Sequence, residues 1–439
     1  MNEPSIRKRR SKSDIEKAIN NLQKIKCTYD IPIFILKSPY NSLIKVQINT
    51  HNYLNDIKWW SLISTTKIVP EYLSVLGPAK LVYKTQMSIG PYQKTFWRFI
   101  RLTNPFELVN SGKGRHSVLA IDTINRAYFK MIEIIHSFNL IDNTKPLSYA
   151  ALAEGPGGFI QAVVDYRKNT CQDQNHLDND SIIGITLKDD YQHSTKWNNV
   201  LRDKFIVNFG DPKINDGDLL NPDNILAYSK LFNDNKADLV TADGGFLVKG
   251  KKQIFKEQLH AHLFLCEIVT ALSVQKLDGH FVLKIYDTFT QITIQLLTIL
   301  SSVYKQVFIT KPVTSRPANS EKYIVCLGFL GINKELLNKL VNTCIECWKL
   351  KNSTKNEYYL QSLWSDDNVS NVINACVEIN KILLGYKIRH IRGTLDLTRK
   401  FTRLNHDYNE FKQIQAQSLI RQKKIAKIWA GIHNIPVKK

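Results

Sequence analysis

Residues 148–159 read SYAALAEGPGGF, and this stretch decides which fold the chain is expected to adopt. The apolar run Ser148–Ala153 predicts a buried strand, and the glycines after it permit a tight turn into a helix that begins near Phe159. A strand that leads through a short turn into a helix is the repeating unit of parallel sheets, which carry helices on both faces. The stretch therefore predicts an α/β fold.

The same alternation of strands and helices continues to about residue 330. Six more strands are predicted, at Ser181–Leu187, Phe205–Phe209, Ala237–Ala242, His280–Tyr286, Val307–Thr310 and Tyr323–Phe329. Apolar residues at three- and four-residue steps predict helices from Leu119 onward, near Ile254–Gln275 and at Thr290–Ser301. We therefore predict a Rossmann-like fold with a mostly parallel, seven-stranded sheet.

The regions on either side of this pattern differ from it. The first part of the chain contains strand-like segments at Ile31–Leu36 and Leu43–Ile48, whereas the last part looks helical. Residues 390–439 hold 11 lysines and arginines against 3 acidic residues. The predicted division is an N-terminal extension at 1–95, an α/β domain at 96–332 and a basic helical C-terminal region at 333–439.

Charge indicates the class of partner. The chain has 60 Lys and Arg against 39 Asp and Glu, which gives a net charge of +21. Such an excess favours polyanionic partners, above all nucleic acid, because basic side chains contact phosphates and release counterions. The alternative is that a lysine- and asparagine-rich composition reflects biased coding.

Composition argues against several other classes of protein. Hydrophobic residues make up 43% of the chain, and charges interrupt the apolar runs before the ~20 residues that a membrane span needs. Residues Met1–Lys12 are polar and basic with no apolar stretch behind them, which argues against secretion. Seven cysteines are few and odd in number, so no disulfide framework is expected. We expect an intracellular protein with no membrane contact.

The glycine turn after the first strand is a candidate ligand site, because ligands of open parallel sheets bind beyond the carboxyl ends of the strands. The turn lacks both the Gly-Lys-Ser/Thr ending of a triphosphate-binding loop and the full spacing of the dinucleotide fingerprint. The acidic Glu154 before it suits a cationic or hydroxyl-rich ligand, and S-adenosylmethionine is both. The alternative is a turn with a purely structural role.

Charged side chains fall at the same edge of the predicted sheet. Asp243 ends the fourth strand, Lys284 lies in the fifth, Glu321 precedes the last, and Lys130 lies on a helix before the glycine turn. Burial beside another cation can lower the pKa of a lysine toward the range of a general base. Two lysines and two acids suit the deprotonation of a hydroxyl. The alternative is that Lys284 reaches solvent from the strand end.

Other residues are weaker candidates for sites. Cys344 and Cys347 have the spacing of half a zinc site, but no second pair stands at a suitable distance, so no metal is predicted. His260 and His262 are expected to make local hydrogen bonds within a helix. Aromatic side chains can stack on nucleobases, although core packing is favoured for the five considered: Trp59, Trp60, Tyr92, Phe96 and Trp97.

Six segments resemble the RrmJ/FtsJ-like ribose 2'-O-methyltransferases, and within them the Adrift-type messenger-RNA cap methyltransferases of animals and large DNA viruses. They are NRAYFK at 125–130, GPGGF at 155–159, GITLK at 184–188, GDLLNPDNI at 217–225, ADGGF at 242–246 and TSRPANSE at 314–321. Asp243 and Lys284 are 41 residues apart and Lys284 and Glu321 are 37 apart. Both separations are close to those of the family's Lys-Asp-Lys-Glu tetrad. The resemblance spans roughly Arg101 to Gly328.

The resemblance implies the fold of an S-adenosylmethionine-dependent methyltransferase, with tetrad roles for Lys130, Asp243, Lys284 and Glu321. It implies S-adenosylmethionine as the cofactor, and the residues expected to bind it are Asn125, Glu154, Gly155, Pro156, Gly157, Gly158, Phe159, Asp218 and Leu219. RNA contacts are implied for Arg101, Gln253, Arg316 and Asn319. The chain departs from many methyltransferases at Thr186, where an acid usually holds the ribose hydroxyls. Glu154 or Asp218 is the expected substitute.

The implied reaction is methyl transfer to the ribose 2'-hydroxyl of the first transcribed nucleotide of a capped messenger. We expect Lys284, held near neutrality, to accept the hydroxyl proton while Asp243 and Lys130 position the nucleophile and Glu321 orients the two lysines. Capped mRNA is the expected partner, with other capping or transcription proteins as a further class. The cytoplasm is favoured over the nucleus, or a viral factory or virion if the source is viral.

Two alternatives stay open at this stage. One is a non-catalytic methyltransferase-fold protein that binds capped RNA and stimulates another enzyme. The other is a ribose methyltransferase of ribosomal or transfer RNA, which would use the same chemistry.

Overall fold

A mixed sheet of eight strands forms the centre of the computed structural model, which describes residues 44–48, 63–65, 77, 79–114, 116–188, 197–248, 250–353, 359–364, 370–403 and 408–438. In chain order the strands are β1 (Ile44–Ile48), β2 (Ile63–Thr65), β3 (Ser148–Leu152), β4 (Ser181–Ile185), β5 (Ile206–Asn208), β6 (Ala237–Ala242), β7 (Gln275–Tyr286), β8 (Tyr304–Lys311), β9 (Glu321–Phe329) and β10 (Tyr359–Ser362). The sheet order is β1-β8-β9-β7-β6-β3-β4-β5, and β2 pairs with β10 in a separate two-stranded sheet.

The large sheet has a parallel part and an antiparallel part. The strands β7, β6, β3, β4 and β5 are parallel to one another, whereas β9 is antiparallel to β7 and to β8. The register pairs Lys284 with Tyr323 and Tyr286 with Glu321 across β7 and β9. This pairing brings the carboxyl end of β7 beside the start of β9.

Helices cover both faces of the sheet. They are α1 (Ala79–Met87), α2 (Gln93–Thr103), α3 (Ala127–Phe138), α4 (Gly158–Thr170), α5 (Gln174–Asp178), α6 (Pro222–Lys230), α7 (Lys256–Val274), α8 (Gln291–Val303), α9 (Lys334–Ser353), α10 (Ser370–Arg403) and α11 (Tyr408–Ile432). Successive residues of β3 alternate between two cores, as the pleat of a strand requires. Tyr149 and Ala151 join the core with α3, α4 and α11, whereas Ala150 and Leu152 join the core with α6, α7 and α8.

The α/β architecture predicted from the sequence is confirmed, but the strand count is not. The sheet has eight strands rather than seven, because β1 pairs antiparallel with β8 along the edge, from Ile44 opposite Lys311 to Ile48 opposite Val307. The predicted strand Leu43–Ile48 therefore belongs to the central sheet. The predicted strand Ile31–Leu36 lies outside the described residues.

The helix predicted from Leu119 onward begins later, at Ala127. Leu119 instead forms an isolated bridge with Val437, and the Ile124 amide donates to the side chain of Gln161. Residues 119–126 contribute apolar side chains to the core without being helical. Their three- and four-residue spacing therefore does not indicate a helix here.

The helical C-terminal region is confirmed. Helix α9 packs against α7, α10 packs along α2 and β1, and Trp429 of α11 meets the ring of Phe129 on α3, with 5.6 Å between the ring centroids. Since β1 lies in the central sheet and α2 begins at Gln93, segments before residue 96 pack with the rest of the protein. The division at 1–95, 96–332 and 333–439 stays a prediction.

None of the helices in the part of the chain that the structure describes is long and apolar enough to cross a membrane. The six cysteines that the structure describes are buried and form no disulfide, and no group of three or more His, Cys, Asp or Glu is arranged there to hold a metal ion.

Candidate active site

Four charged side chains predicted from the sequence meet at one edge of the sheet. Asp243 follows the last residue of β6, Lys284 lies near the end of β7, Glu321 is the first residue of β9, and Lys130 lies in the first turns of α3. They form two ion pairs, with 3.1 Å from Lys284 Nζ to Asp243 Oδ1 and 2.6 Å from Lys130 Nζ to Glu321 Oε1. All four side chains are less than one-fifth exposed.

Tyr323 and Ser315 connect these pairs to their surroundings. The Tyr323 hydroxyl donates to Asp243 Oδ1 at 3.2 Å, and the centroid of the Tyr323 ring lies 6.0 Å from Lys130 Nζ. The Ser315 hydroxyl donates to Glu321 Oε1 at 2.9 Å. Each carboxylate is therefore oriented by a hydroxyl as well as by an ammonium group.

The expectation that Lys284 is held near neutrality is wrong for the free protein. Burial alone would lower the pKa of Lys284, but the charges of Asp243, Tyr286 and Glu321 outweigh it and raise that pKa above the ordinary lysine value. The pKa of Glu321 falls well below its usual range, because Lys130 and Lys284 overcome the opposing effect of burial. Lys284 and Glu321 are therefore charged at neutral pH.

A second layer of side chains fixes the segment after β6. The Gly244 amide donates to Glu267 Oε1 at 3.1 Å, and the Phe246 amide donates to His260 Nε2 at 3.1 Å. Burial raises the pKa of Glu267 to about 8 and lowers the pKa of His260 to about 3. As predicted, His260 makes local hydrogen bonds, since its Nδ1 also contacts the Lys256 carbonyl at 2.7 Å.

Another cation stands beside the pair of Lys284 and Asp243. The Lys256 Nζ atom lies 3.5 Å from the centroid of the Tyr286 ring. Burial and the nearby charge of Lys284 lower the pKa of Lys256 to about 8, against the opposing charge of Glu321. The crevice therefore carries more positive charge than the four predicted residues provide.

The glycine turn lies at the end of β3, next to Asp243. Gly157 has a φ of +105°, and a Cβ atom there would come within 2.6 Å of Leu201 Cδ1. A Cβ atom at Gly158 would come within 2.1 Å of Asn125 Oδ1, the atom that also accepts from the Ala127 amide at 2.8 Å. Both positions require glycine because the backbone passes close to its neighbours.

The other residues predicted to bind the cofactor lie in different surroundings. Glu154 is buried, its carboxylate accepts hydrogen bonds from Tyr149 and Thr241, and burial raises its pKa well above the usual value. Asp218 is partly exposed and lies 3.4 Å from Lys351 Nζ, on α9. Of the two acids, Asp218 is the one with access to a ligand.

Leu219, also predicted to bind the cofactor, is buried beside Asp218. The hydroxyl of Thr186 accepts from the Gly155 amide at 3.4 Å, so the end of β4 touches the glycine turn. Pro156 and Phe159 complete the turn, and Phe159 is buried against the ring of Tyr323.

The residues predicted to contact RNA are partly or fully exposed and belong to three different parts of the fold. Arg316 is ion-paired with Glu107, with 2.9 Å between Nη2 and Oε1, and Asn319 is exposed three residues further along the same segment. Arg101 is exposed on α2, and Gln253 is exposed in a short 3-10 helix before α7. Arg316 and Asn319 alone adjoin Glu321.

Sequence reasoning did not single out several residues that complete this site. They are Glu107, Lys256, Glu267, Lys311, Ser315 and Tyr323. Ser315 and Tyr323 lie within or beside quoted motifs, so their position offered a signal. Glu267 and Lys256 lie on a long apolar helix, where a polar residue at a buried position is informative only once its partner is known.

Comparison with known proteins agrees with this geometry. Residues 123–329 match the family of FtsJ-like methyltransferases. The chain is 31% identical over 272 residues to the cap-specific mRNA (nucleoside-2'-O-)-methyltransferase 1 of Bos taurus, which covers 57% of this chain and 30% of that protein. It is 32% identical over 273 residues to the Mus musculus protein of the same name, with the same shares covered.

The matched region thus spans about 30% of the length of these curated relatives. Among solved structures, a Plasmodium falciparum protein named as a ribosomal RNA methyltransferase is 24% identical, with a TM-score of 0.33. It covers 47% of this chain and 98% of that one. Human methyltransferase-like protein 13 in complex with SAH is 11% identical, with a TM-score of 0.27, and covers 51% of this chain and 90% of that one.

The family match confirms the resemblance to FtsJ-like methyltransferases that the sequence motifs indicated. The matched residues begin just before α3 and end with β9, so they include the glycine turn and all four charged residues. Residues 123–329 of this chain match an FtsJ-like methyltransferase domain, and 57% of the chain is homologous to cap-specific mRNA 2'-O-methyltransferases 1 of animals.

Proposed function

We propose that the chain transfers a methyl group from S-adenosylmethionine to the ribose 2'-hydroxyl of the first transcribed nucleotide of capped mRNA. One observation carries the proposal: the ion pairs Lys284–Asp243 and Lys130–Glu321 lie together at the carboxyl edge of the sheet, next to the glycine turn. Homology to cap-specific enzymes supports the cap as the substrate feature.

The residues at the ends of β3 and β4 suit this cofactor. The first turn of α4 has no side-chain cap, so its N–H groups can bind a carboxylate, and the partly exposed Asp218 can accept from hydroxyl or amino groups. When bound, S-adenosylmethionine supplies a methyl group on a sulfonium, which an oxygen nucleophile can displace. We propose that it is held by Asn125, Gly155, Pro156, Gly157, Gly158, Phe159, Asp218 and Leu219, with Glu154 beneath them.

The four charged residues would orient and deprotonate the ribose hydroxyl. Lys284 already uses two of its three N–H groups on the carboxylate and carbonyl of Asp243, which leaves one to donate to the ribose oxygen. We propose that Lys284 releases one proton to solvent as the complex forms, because exclusion of water and the cationic cofactor both lower a lysine pKa, and that the neutral amine then accepts the hydroxyl proton. Lys130, fixed by Glu321, would hold the sugar from the other side. Much of the rate enhancement would then come from alignment.

The segment between β8 and β9 would position the RNA. The Arg316 guanidinium can donate two hydrogen bonds to a phosphate if it leaves Glu107. The exposed Asn319 can form a hydrogen bond with the nucleotide beside Glu321. Such contacts set the register of the RNA rather than read its bases. Arg101 and Gln253 would add contacts to RNA from α2 and from the short 3-10 helix before α7.

We also propose a branch of the family, a class of protein partners and a cellular location for this chain. The TSRPANSE segment at 314–321 and the ADGGF segment at 242–246 support an Adrift-type cap methyltransferase, a branch that includes enzymes of large DNA viruses. Other capping or transcription proteins are the partners we propose beyond RNA. We propose that the chain acts in the cytoplasm.

Methyl-labelled cofactor and short RNAs test the proposed function. The protein is incubated with capped or uncapped RNA, and the product is digested to nucleosides. The proposal expects the label in 2'-O-methyl nucleosides, with faster incorporation into capped RNA. Binding of capped RNA without label incorporation would favour the non-catalytic alternative, and labelling of ribosomal or transfer RNA in preference to capped RNA would favour the other alternative.

A further inference from the structure

Lys311 is a buried lysine at the end of β8, and within the described residues it forms no ion pair with a carboxylate. Its Nζ atom donates to three uncharged oxygens. They are Ser315 Oγ at 3.0 Å, the Asn319 carbonyl at 3.0 Å and the Glu321 carbonyl at 2.7 Å. An ammonium group has three N–H donors, so all three are used.

These three acceptors belong to a single stretch of chain. Residues 312–320 connect β8 to β9 and carry the exposed Asn319, and Lys311 holds this segment near its middle, near its end and at Glu321. One side chain therefore fixes the shape of the whole connection. An apolar side chain of the same length would fill this space without forming any of the three bonds.

Lys311 also reaches the ion pair of the site through one intermediate. Ser315 accepts from Lys311 and donates its own proton to Glu321 Oε1 at 2.9 Å. The same Oε1 atom lies 2.6 Å from Lys130 Nζ. A continuous chain of hydrogen bonds thus runs from Lys311 through Ser315 and Glu321 to Lys130.

The charge state of Lys311 matters for this chain. Burial lowers the pKa of Lys311 to about 7, Glu321 opposes the fall, and the cations Lys322, Lys387 and Lys130 add to it. A neutral amine has two N–H groups and would leave one of the three acceptors without its donor. The network is therefore complete on the acidic side of this pKa.

We propose that Lys311 is a positioning residue for methyl transfer. It sets the shape of segment 312–320, on which the RNA would rest, and through Ser315 it directs the Glu321 carboxylate toward Lys130. Lys311 itself would touch neither RNA nor cofactor. This inference rests on the proposed function and adds to it a residue outside the four charged ones.

Three variants and one control test the inference. Lys311→Met, Ser315→Ala and the double variant are compared with wild type in kcat and KM for capped RNA at pH 6.5, and cofactor affinity is measured by calorimetry. Lys305→Met is the control, because Lys305 lies on the same strand but is exposed and paired with Asp278. The control should behave as wild type.

We expect Lys311→Met to lower kcat/KM by about tenfold or more, with a lower kcat from the misdirected Glu321 and a higher KM from the loosened segment, while cofactor affinity stays within about twofold. Because Lys311 and Ser315 act through the same contacts, the double variant should be no worse than Lys311→Met alone.

Wild-type kcat/KM in Lys311→Met, or losses that add fully in the double variant, would overturn the inference. If Lys311→Met does not fold, Ser315→Ala decides, and an unchanged kcat in that variant would break the proposed link. An inactive wild type would overturn the proposed function and this inference with it. An active wild type with unaffected variants would overturn the role of Lys311 alone.

Discussion

Lys284 Nζ lies 3.1 Å from Asp243 Oδ1 and also donates to the backbone carbonyl of Asp243. Burial opposes the charge of Lys284, but the Asp243 carboxylate, together with Tyr286 and Glu321, outweighs burial and raises the pKa of Lys284. In the free protein Lys284 is thus a hydrogen-bond donor rather than a base. Binding of the substrates must change its surroundings before it can accept a proton.

Replacement of Lys284 tests this role. Lys284→Met keeps the length of the side chain but removes the ammonium group, so we expect methyl transfer to fall below detection while cofactor affinity stays within a few fold. Lys276→Met is the matched control, since Lys276 lies on the same strand but is exposed and paired with Asp238. Turnover by Lys284→Met in the labelled-cofactor assay would exclude Lys284 as the proton acceptor.

Gly157 tests the position of the cofactor. Gly157→Ala would place a Cβ atom within 2.6 Å of Leu201 Cδ1 at a φ of +105°, so the turn must shift and cofactor affinity should fall by about tenfold. Gly431→Ala is the matched control, because nothing lies within 4 Å of the added methyl and the residue is helical. Equal affinities of the two variants by calorimetry would place the cofactor elsewhere.

Glu267 should make stability depend on pH. Its carboxyl group is buried, and burial raises its pKa from 4.5 to about 8. Between these values the folded protein keeps a proton that the unfolded chain has lost, so the free energy of unfolding falls as the pH rises from about 4.5 to 8. Glu267→Gln cannot lose a proton and keeps an acceptor for the Gly244 amide.

Denaturant midpoints at pH 5 and pH 8 check this expectation. Glu267→Gln should lose less stability than wild type between the two pH values, whereas Glu335→Gln, at an exposed position, should follow wild type. Parallel behaviour of wild type and Glu267→Gln would mean that the buried carboxyl group does not hold its proton.

The C-terminal helix should matter for RNA binding although it lies outside the matched domain. Trp429 Nε1 donates to Glu133 Oε1 at 3.2 Å, and Glu133 accepts from the amides of Val313 and Thr314. Trp429→Phe keeps most of the ring but leaves a buried carboxylate with one donor fewer, at a cost of about 1–3 kcal/mol.

We therefore expect a lower unfolding temperature and a KM for RNA several fold above that of wild type, with kcat less affected. Trp348→Phe on α9 is the control, since its ring lies under Lys351, away from segment 312–320. An unchanged KM in Trp429→Phe would show that α11 does not support the RNA segment.

Buried strands of the central sheet could be predicted directly from the sequence pattern, because burial requires apolar residues. The predicted strand Ala237–Ala242 coincides with β6, because a central parallel strand is covered on both faces and so forms an uninterrupted apolar run. Asp243, Lys284 and Glu321 could be placed together for a related reason: strand ends meet at one edge of the sheet.

Other features depend on contacts between distant parts of the chain, which periodicity does not record. The amide of Gly244 meets Glu267, which lies 23 residues away, and Trp429 meets Glu133 from a position 296 residues later. The raised pKa of Lys284 likewise depends on its distance to Asp243. Pattern alone could suggest a perturbed lysine but not the direction of the shift.

Mapping the methylated nucleotide on capped RNAs tests the central claim most directly. RNAs that differ in their first two bases are incubated with the protein and cofactor, alongside the same sequences without a cap, and the modified position is identified by mass spectrometry. The account predicts 2'-O-methylation at the first transcribed nucleotide of every capped RNA, at rates well above those on uncapped RNA. Methyl groups scattered along the chain, or equal rates with and without a cap, would contradict the cap assignment.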